Sequence, residues 1–261
     1  MGTSFSPEYA APAPGERAGR LASWRRRLSP WRILVGVSAL VLGVAAAGML
    51  ALWMATSGER ETSYAFAGPL LGVDIAVGEG DVRILGGGRS DVHIRHTDRF
   101  AYGHEPTERV DLEAGVLEID SQCASLVVGT CAADYELSVP DNVAVTVRVS
   151  SGSVRLGEYR GSAQLTVDGG SIAVDGFCGF SLQATAGRGD IDVATSCAAD
   201  RLELRSDTGD VTAVVPPGAY RIDADSNGGR VAVDGVRASE DAPWAIQALS
   251  GSGNVTVGAH P

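Results

Sequence analysis

From residue 145 onward the chain repeats one phrase: alternating apolar residues, a small polar turn, a glycine, and alternation again. Take Gly80, Gly152, Gly170, Gly189, Gly209, Gly229 and Gly253 as anchors; from Gly152 they are 18, 19, 20, 20 and 24 residues apart. Two residues after them stand Val82, Val154, Ile172, Ile191, Val211, Val231 and Val255. Four after stand Ile84, Leu156, Val174, Val193, Ala213, Val233 and Val257. Seven before stand Val73, Val145, Ala163, Leu182, Leu202, Ile222 and Ile246, and five before stand Ile75, Val147, Leu165, Ala184, Leu204, Ala224 and Ala248. Three before, the side chain shrinks along the chain: Val77, Val149, Val167, Ala186, Ser206, Ser226, Ser250. Intervening positions are mostly Thr, Gln, Arg, Asp and Glu.

Period-two alternation on both sides of a glycine describes two short strands that share one buried face and meet at a tight corner. Glycine suits a corner that needs positive φ or close backbone contact, and the chain holds 34 of them without a Gly-X-Y period. A unit of about 20 residues cannot bury its own apolar face. Stacked rungs about 4.8 Å apart turn each column into a continuous core. The expected fold is therefore all-β, a β-solenoid of about 20-residue rungs over residues 57–261. A β-sandwich or open β-roll also alternates, but would not demand one residue class at matching offsets from every anchor.

Residues 57–142 fit the repeat less well. Gly80 marks a good rung, and Gly115 a partial one with Leu112, Leu117 and Ile119 in place but Glu108 at an inward offset. Between them HTDRFAYGHEPTER reads as an irregular excursion, as expected of a capping end.

Ahead of the repeats, Ile33–Thr56 is a 24-residue run without charge. As a helix it crosses a bilayer core of roughly 30 Å with some tilt. Trp31 and Trp53 sit at its ends, where indoles favour the interface, and Arg25, Arg26, Arg27 and Arg32 precede it. The charge split agrees: residues 1–56 carry six Arg against two acids, and residues 57–261 fifteen Arg against thirty acids. The positive-inside rule thus predicts a cytoplasmic N-terminus and an extracytoplasmic C-terminal domain in a single-pass cell-membrane protein. The run is longer than the 7–15 residues usual for a signal-peptide core. No cysteine follows it to carry a lipid, and Ala65-Phe66-Ala67, which resembles a cleavage site, lies well beyond it. Residues 1–32, rich in Pro and Ala in their first part, read as a disordered cytoplasmic tail.

Chemistry is sparse. A net charge of −11 opposes a general nucleic-acid binder. His93 and His96 are three apart in a strand and point to opposite faces, so the histidines read as scattered surface residues. No P-loop, Gly-x-Ser-x-Gly or His-Glu-x-x-His motif occurs. Asp190 and Asp210 follow successive anchors and point outward, with Asp192 on the same face and Asp207 in the adjoining turn. They are weak candidates for a calcium site or a catalytic pair, because calcium needs six or more oxygens and Asp is common in turns. No cofactor is expected. The cysteines follow the register: Cys178 and Cys197 each stand eight residues after an anchor, at the same corner of consecutive rungs. A Cys178–Cys197 disulfide is expected, leaving Cys123 to pair with Cys131.

The rungs SSGSVRL, DGGSIAV, GRGDIDV, DTGDVTAV and GSGNVTV resemble the "putative adhesin" family of bacterial β-strand-repeat envelope domains, which includes LiaG-like proteins. The segment from Cys123 to Cys131 followed by YELSVPDNVAV is similar to members from high-GC Gram-positive bacteria. The resemblance covers residues 70–258 and implies a membrane-anchored β-solenoid facing outward, with no established catalytic residues. Sequence and resemblance together suggest a non-enzymatic binding or scaffold module in contact with cell-wall polymer or another envelope protein. The competing readings are a carbohydrate-active β-helix enzyme using Asp190 and Asp210, and a regulatory partner acting through the helix or the arginine-rich tail.

Overall fold

The computed structural model describes residues 30–87, 90–101, 104–124, 130–141 and 143–260. Arg25, Arg26, Arg27 and nearly all of the tail lie outside the described residues. The apolar run forms α1 (Pro30–Thr56), which includes Trp31, Arg32 and Trp53 and is long and apolar enough to cross a membrane. Its described side chains are exposed.

The rest is strand. The first seven are β1 (Gly58–Phe66), β2 (Gly72–Glu79), β3 (Val82–Gly87), β4 (Val92–Phe100), β5 (Thr107–Glu113), β6 (Val116–Gln122) and β7 (Cys131–Pro140). Regular rungs follow as pairs: β8 (Ala144–Ser151) with β9 (Val154–Gly157), and β10 (Ala163–Gly169) with β11 (Ile172–Phe177). Next come β12 (Ser181–Arg188) with β13 (Ile191–Thr195), and β14 (Arg201–Thr208) with β15 (Val211–Val215). The last five are β16 (Ala219–Ser226), β17 (Val231–Asp234), β18 (Arg237–Ala238), β19 (Ala245–Ser250) and β20 (Val255–Ala259).

These strands make two ten-stranded, mostly parallel sheets rather than a closed coil. One runs β1-β4-β7-β3-β9-β11-β13-β15-β20-β17, the other β18-β16-β19-β14-β12-β10-β8-β2-β6-β5. Each rung gives one strand to each sheet, and the columns read from the sequence are backbone partners: Val73↔Val145, Val145↔Ala163, Ala163↔Leu182, Leu182↔Leu202 and Leu202↔Ile246. Between the sheets Ile75, Val147, Leu165, Ala184, Leu204 and Ala248 are at most 1% exposed. Six of the seven anchor glycines hold the corners for both reasons expected of them, and Gly229 on the last rung for the close approach alone. At Gly170 φ is +144°, and a Cβ would sit 1.9 Å from the Gly152 carbonyl oxygen.

Stacking order departs from chain order at both ends. β19–β20 inserts between β14–β15 and β16–β17, so the Gly229 rung, not the Gly253 rung, ends the stack. At the other end β2–β3 lies between β8–β9 and β6–β7. Gly115 is not a rung corner: with Ala114 it makes the turn of the antiparallel β5–β6 hairpin, both at positive φ. Leu117 and Ile119 instead pair with Val73 and Ile75, the columns before an anchor. The matching corner is Ala133-Asp134, since Tyr135 and Leu137 pair with Val82 and Ile84. The supposed excursion is largely strand, β4 and β5, running antiparallel to β7 and β6 respectively.

Candidate functional site

The aspartates of the corners form a ladder. Asp190 Oδ1 accepts the backbone N–H of Asp210 at 2.8 Å, and Asp210 Oδ1 accepts that of Asn254 at 2.7 Å. Asn254 Oδ1 accepts the N–H of Arg230 at 3.1 Å. At the N-terminal end Asp134 Oδ1 accepts from Asp81 N, and Asp81 Oδ1 from Ser153 N. A corner leaves an amide without a ladder partner, and the residue after the anchor on the preceding rung supplies the acceptor. Asp190 and Asp210 thus have a structural use. Asp207 lies in β14 rather than in a turn, 3.3 Å from Arg205, and belongs to the opposite sheet from Asp192. Among the described residues no three His, Cys, Asp or Glu side chains are grouped to hold a metal ion.

The shrinking column has a matching explanation. Ser206 Oγ donates to the Gly189 carbonyl at 2.9 Å, Ser250 Oγ to that of Gly209 at 2.8 Å, and Ser226 Oγ to that of Gly253 at 2.6 Å. Each serine reaches the anchor of the neighbouring rung, in stacking order. The cysteines are paired Cys178–Cys197 and Cys123–Cys131, with Cα separations of 5.0 and 5.9 Å. The first joins adjacent rungs at one corner; the second closes the long corner between β6 and β7.

One cluster escaped the reading of the residues. His96 is 4% exposed, not a surface residue, because β4 is an interior strand of its sheet. Its Nδ1 lies 3.2 Å from Asp98 Oδ1 and its Nε2 3.5 Å from Glu108 Oε2. The ring stacks on Tyr135 with centroids 5.3 Å apart and meets the edge of Tyr64. Both phenols donate to Glu108 Oε1, Tyr64 at 2.7 Å and Tyr135 at 3.0 Å. Burial and the Glu108 carboxylate push both hydroxyls far above the usual tyrosine range. Since Glu108 stands on β5 and the others on β1, β4 and β7, the cluster ties the two sheets together across the end of the core. The inward offset of Glu108 was its only trace in the sequence. His93, on the other face of β4, borders a surface recess of about 570 Å³ with Ser63, Ala65, Leu85, Arg95 and Glu136.

The solved structures similar to this chain include a "putative cell adhesion protein" from Clostridium sporogenes, with TM-score 0.48 and 9% identity over 78% of this chain and 100% of that one. Another is a "putative adhesin" from Bacteroides fragilis, with TM-score 0.42 and 11% identity over 77% of this chain and 97% of that one. No curated protein matches the sequence. The profile of the Toastrack DUF4097 family matches residues 88–259, about two thirds of the chain, and on that match the protein belongs to the Toastrack DUF4097 family.

Proposed function

We propose that the protein is a single-pass membrane protein whose β-stack is a non-enzymatic binding or scaffold module outside the cytoplasm. The observation that carries this is a pairing along the chain. An exposed apolar helix ends at Thr56, β1 starts at Gly58, and the strand region that follows has all four cysteines in disulfides. Disulfides persist in oxidising compartments, and the arginines before the helix set the expected orientation. The stack holds its outward side chains in register: Gln164 beside Gln183 and Thr166 beside Thr185, about 4.8 Å apart. An evenly spaced surface of this kind suits an extended partner, either wall polymer or another envelope protein. Its acidic balance tempers contact with anionic polymers unless cations bridge them.

Two measurements test the reading. In intact cells an impermeant thiol reagent should label His104→Cys but not Ala11→Cys; the reverse result overturns the topology. Photo-crosslinking from Thr185 in intact cells should then capture wall polymer or an envelope protein, and capture of neither overturns the binding role.

A further inference from the structure

We propose that the outer face of β14, β19 and β16 holds a site for a uronic acid, a hexose ring carrying a carboxylate, and this rests on the binding role given above. A recess of about 260 Å³ lies there, bordered by Arg201, Glu203, Arg221, Asp223, Ala245 and Gln247.

Stacking order makes the site. In chain order β16 would follow β14. Arg201 would then stand beside Arg221 and Glu203 beside Asp223, each a like-charge pair about 4.8 Å apart. β19 inserts between the two strands instead. Ala245 thereby lies between the two arginines, and Gln247 between the two acids. Since Leu202, Ile246 and Ile222 face the core, the outer face presents two rows, Arg201-Ala245-Arg221 and Glu203-Gln247-Asp223. Ala245 is the short member, and it leaves a hollow between two guanidinium groups.

The rows offer different chemistry. Both arginines are exposed. Arg221 has no ion-pair partner among the described residues, and Arg201 has Glu203 Oε1 at 3.3 Å. Guanidinium groups on both sides of a hollow suit a carboxylate, which accepts N–H donors from each. In the second row Gln247 Nε2 donates to Asp223 Oδ2 at 2.8 Å. Gln247 Oε1, Asp223 Oδ1 and Glu203 Oε2 are left to accept from hydroxyl groups. The rows are two residues apart along each strand, about 6.6 Å, comparable with a hexose ring measured from its carboxylate to its far hydroxyls. A uronic acid meets both rows at once. Inorganic phosphate gains the arginines but sets its charge against two carboxylates, and a neutral sugar leaves the arginines unused. The arrangement gives an acidic glycan a point of contact that needs no bridging cation.

The test uses the full chain in detergent and a fluorescently labelled tetrasaccharide of alternating glucuronate and N-acetylglucosamine, read by anisotropy. The chain should bind it, and should bind the carboxyl-reduced tetrasaccharide about tenfold more weakly, the loss of a charge-assisted contact. Arg201→Gln and Arg221→Gln should each weaken binding by about the same factor. Ala245→Leu, which fills the recess and keeps both charges, should abolish it. Asp223→Ala should weaken it too, although a negative charge is removed; tighter binding would mean that the acids only repel, and overturns the proposal. Arg155→Gln, at an exposed arginine of the other sheet, should change nothing. No binding by the parent chain, equal binding of the reduced sugar, or competition by inorganic phosphate as strong as by free glucuronate overturns it as well. If wall polymer or an envelope protein is still captured from Thr185, such a failure removes this recess alone and leaves the wider binding role standing.

Discussion

At the N-terminal end of the stack, β1 and β4 run antiparallel beyond β7, and β5 runs antiparallel beyond β6. Glu108, His96, Tyr64 and Tyr135 close the space between those strands. At the C-terminal end the last rung is an ordinary one, with its valines facing water and little added beyond β18. Both ends have the same need, because each rung hides one side of its columns behind the next and the last has nothing behind it. One end meets the need inside the chain by reversing strand direction and placing hydrogen-bonded polar groups across the core. The other keeps a parallel edge whose outer side is largely unpaired.

The largest expected effect contrasts the middle with the open end. Leu204→Asp puts an unpaired carboxylate between the sheets at a residue 1% exposed and should cost at least about 4 kcal/mol, enough to unfold the stack. Val233→Asp, the same chemistry at a residue 40% exposed, should shift monomer stability by less than about 0.5 kcal/mol. Urea denaturation of both variants checks this, and similar costs would mean that the Gly229 rung is not the end.

The sealed end comes next. Glu108→Ala leaves two tyrosine hydroxyls without their acceptor and should cost about 2–3 kcal/mol. Hydrogen exchange should rise in β4 to β6 and stay unchanged in β12 to β15.

The same cluster predicts an alkaline limit. The Tyr64 and Tyr135 hydroxyls are held above their ordinary pKa in the folded chain. Above pH about 10 the unfolded chain therefore releases protons that the folded chain keeps, so stability falls as pH rises. Absorbance at 295 nm should show these two ionising only together with unfolding, and early independent titration would contradict the buried cluster.

The smallest effect separates two chemically identical bonds. Ser206→Ala, at a residue 0% exposed, should cost about 1 kcal/mol through loss of its bond to the Gly189 carbonyl. Ser226→Ala, on the half-open last rung, should cost clearly less, because water there replaces the hydroxyl both as donor to the Gly253 carbonyl and as acceptor of the Gly229 N–H. Thermal melts of the two variants give the comparison.

The regular rungs were legible because their information is local. Alternation with period two fixes which side chains point inward, and the anchor glycine fixes the corner, so Leu202, Leu204 and Val211 could be placed by counting. The same counting put Cys178 beside Cys197. It failed at 107–140, where the rung of β6 and β7 has Ala133 at the corner in place of glycine and a disulfide-closed loop ahead of it. Periodicity without the glycine left Leu117 and Ile119 assigned to the wrong side of a corner.

What the amino-acid order determined by itself is the rung: two short strands, one apolar face, and a glycine where a neighbouring carbonyl leaves no room for a Cβ. Only the tertiary structure decided the stacking order. Every rung offers nearly the same columns to its neighbours, so the local pattern is satisfied whichever rung lies alongside. The order was settled by long-range pairing, which set β19–β20 inside β16–β17 and β2–β3 inside β6–β7. It also decided the His96 cluster, whose members come from four strands of two sheets and meet only when both sheets close on the same end.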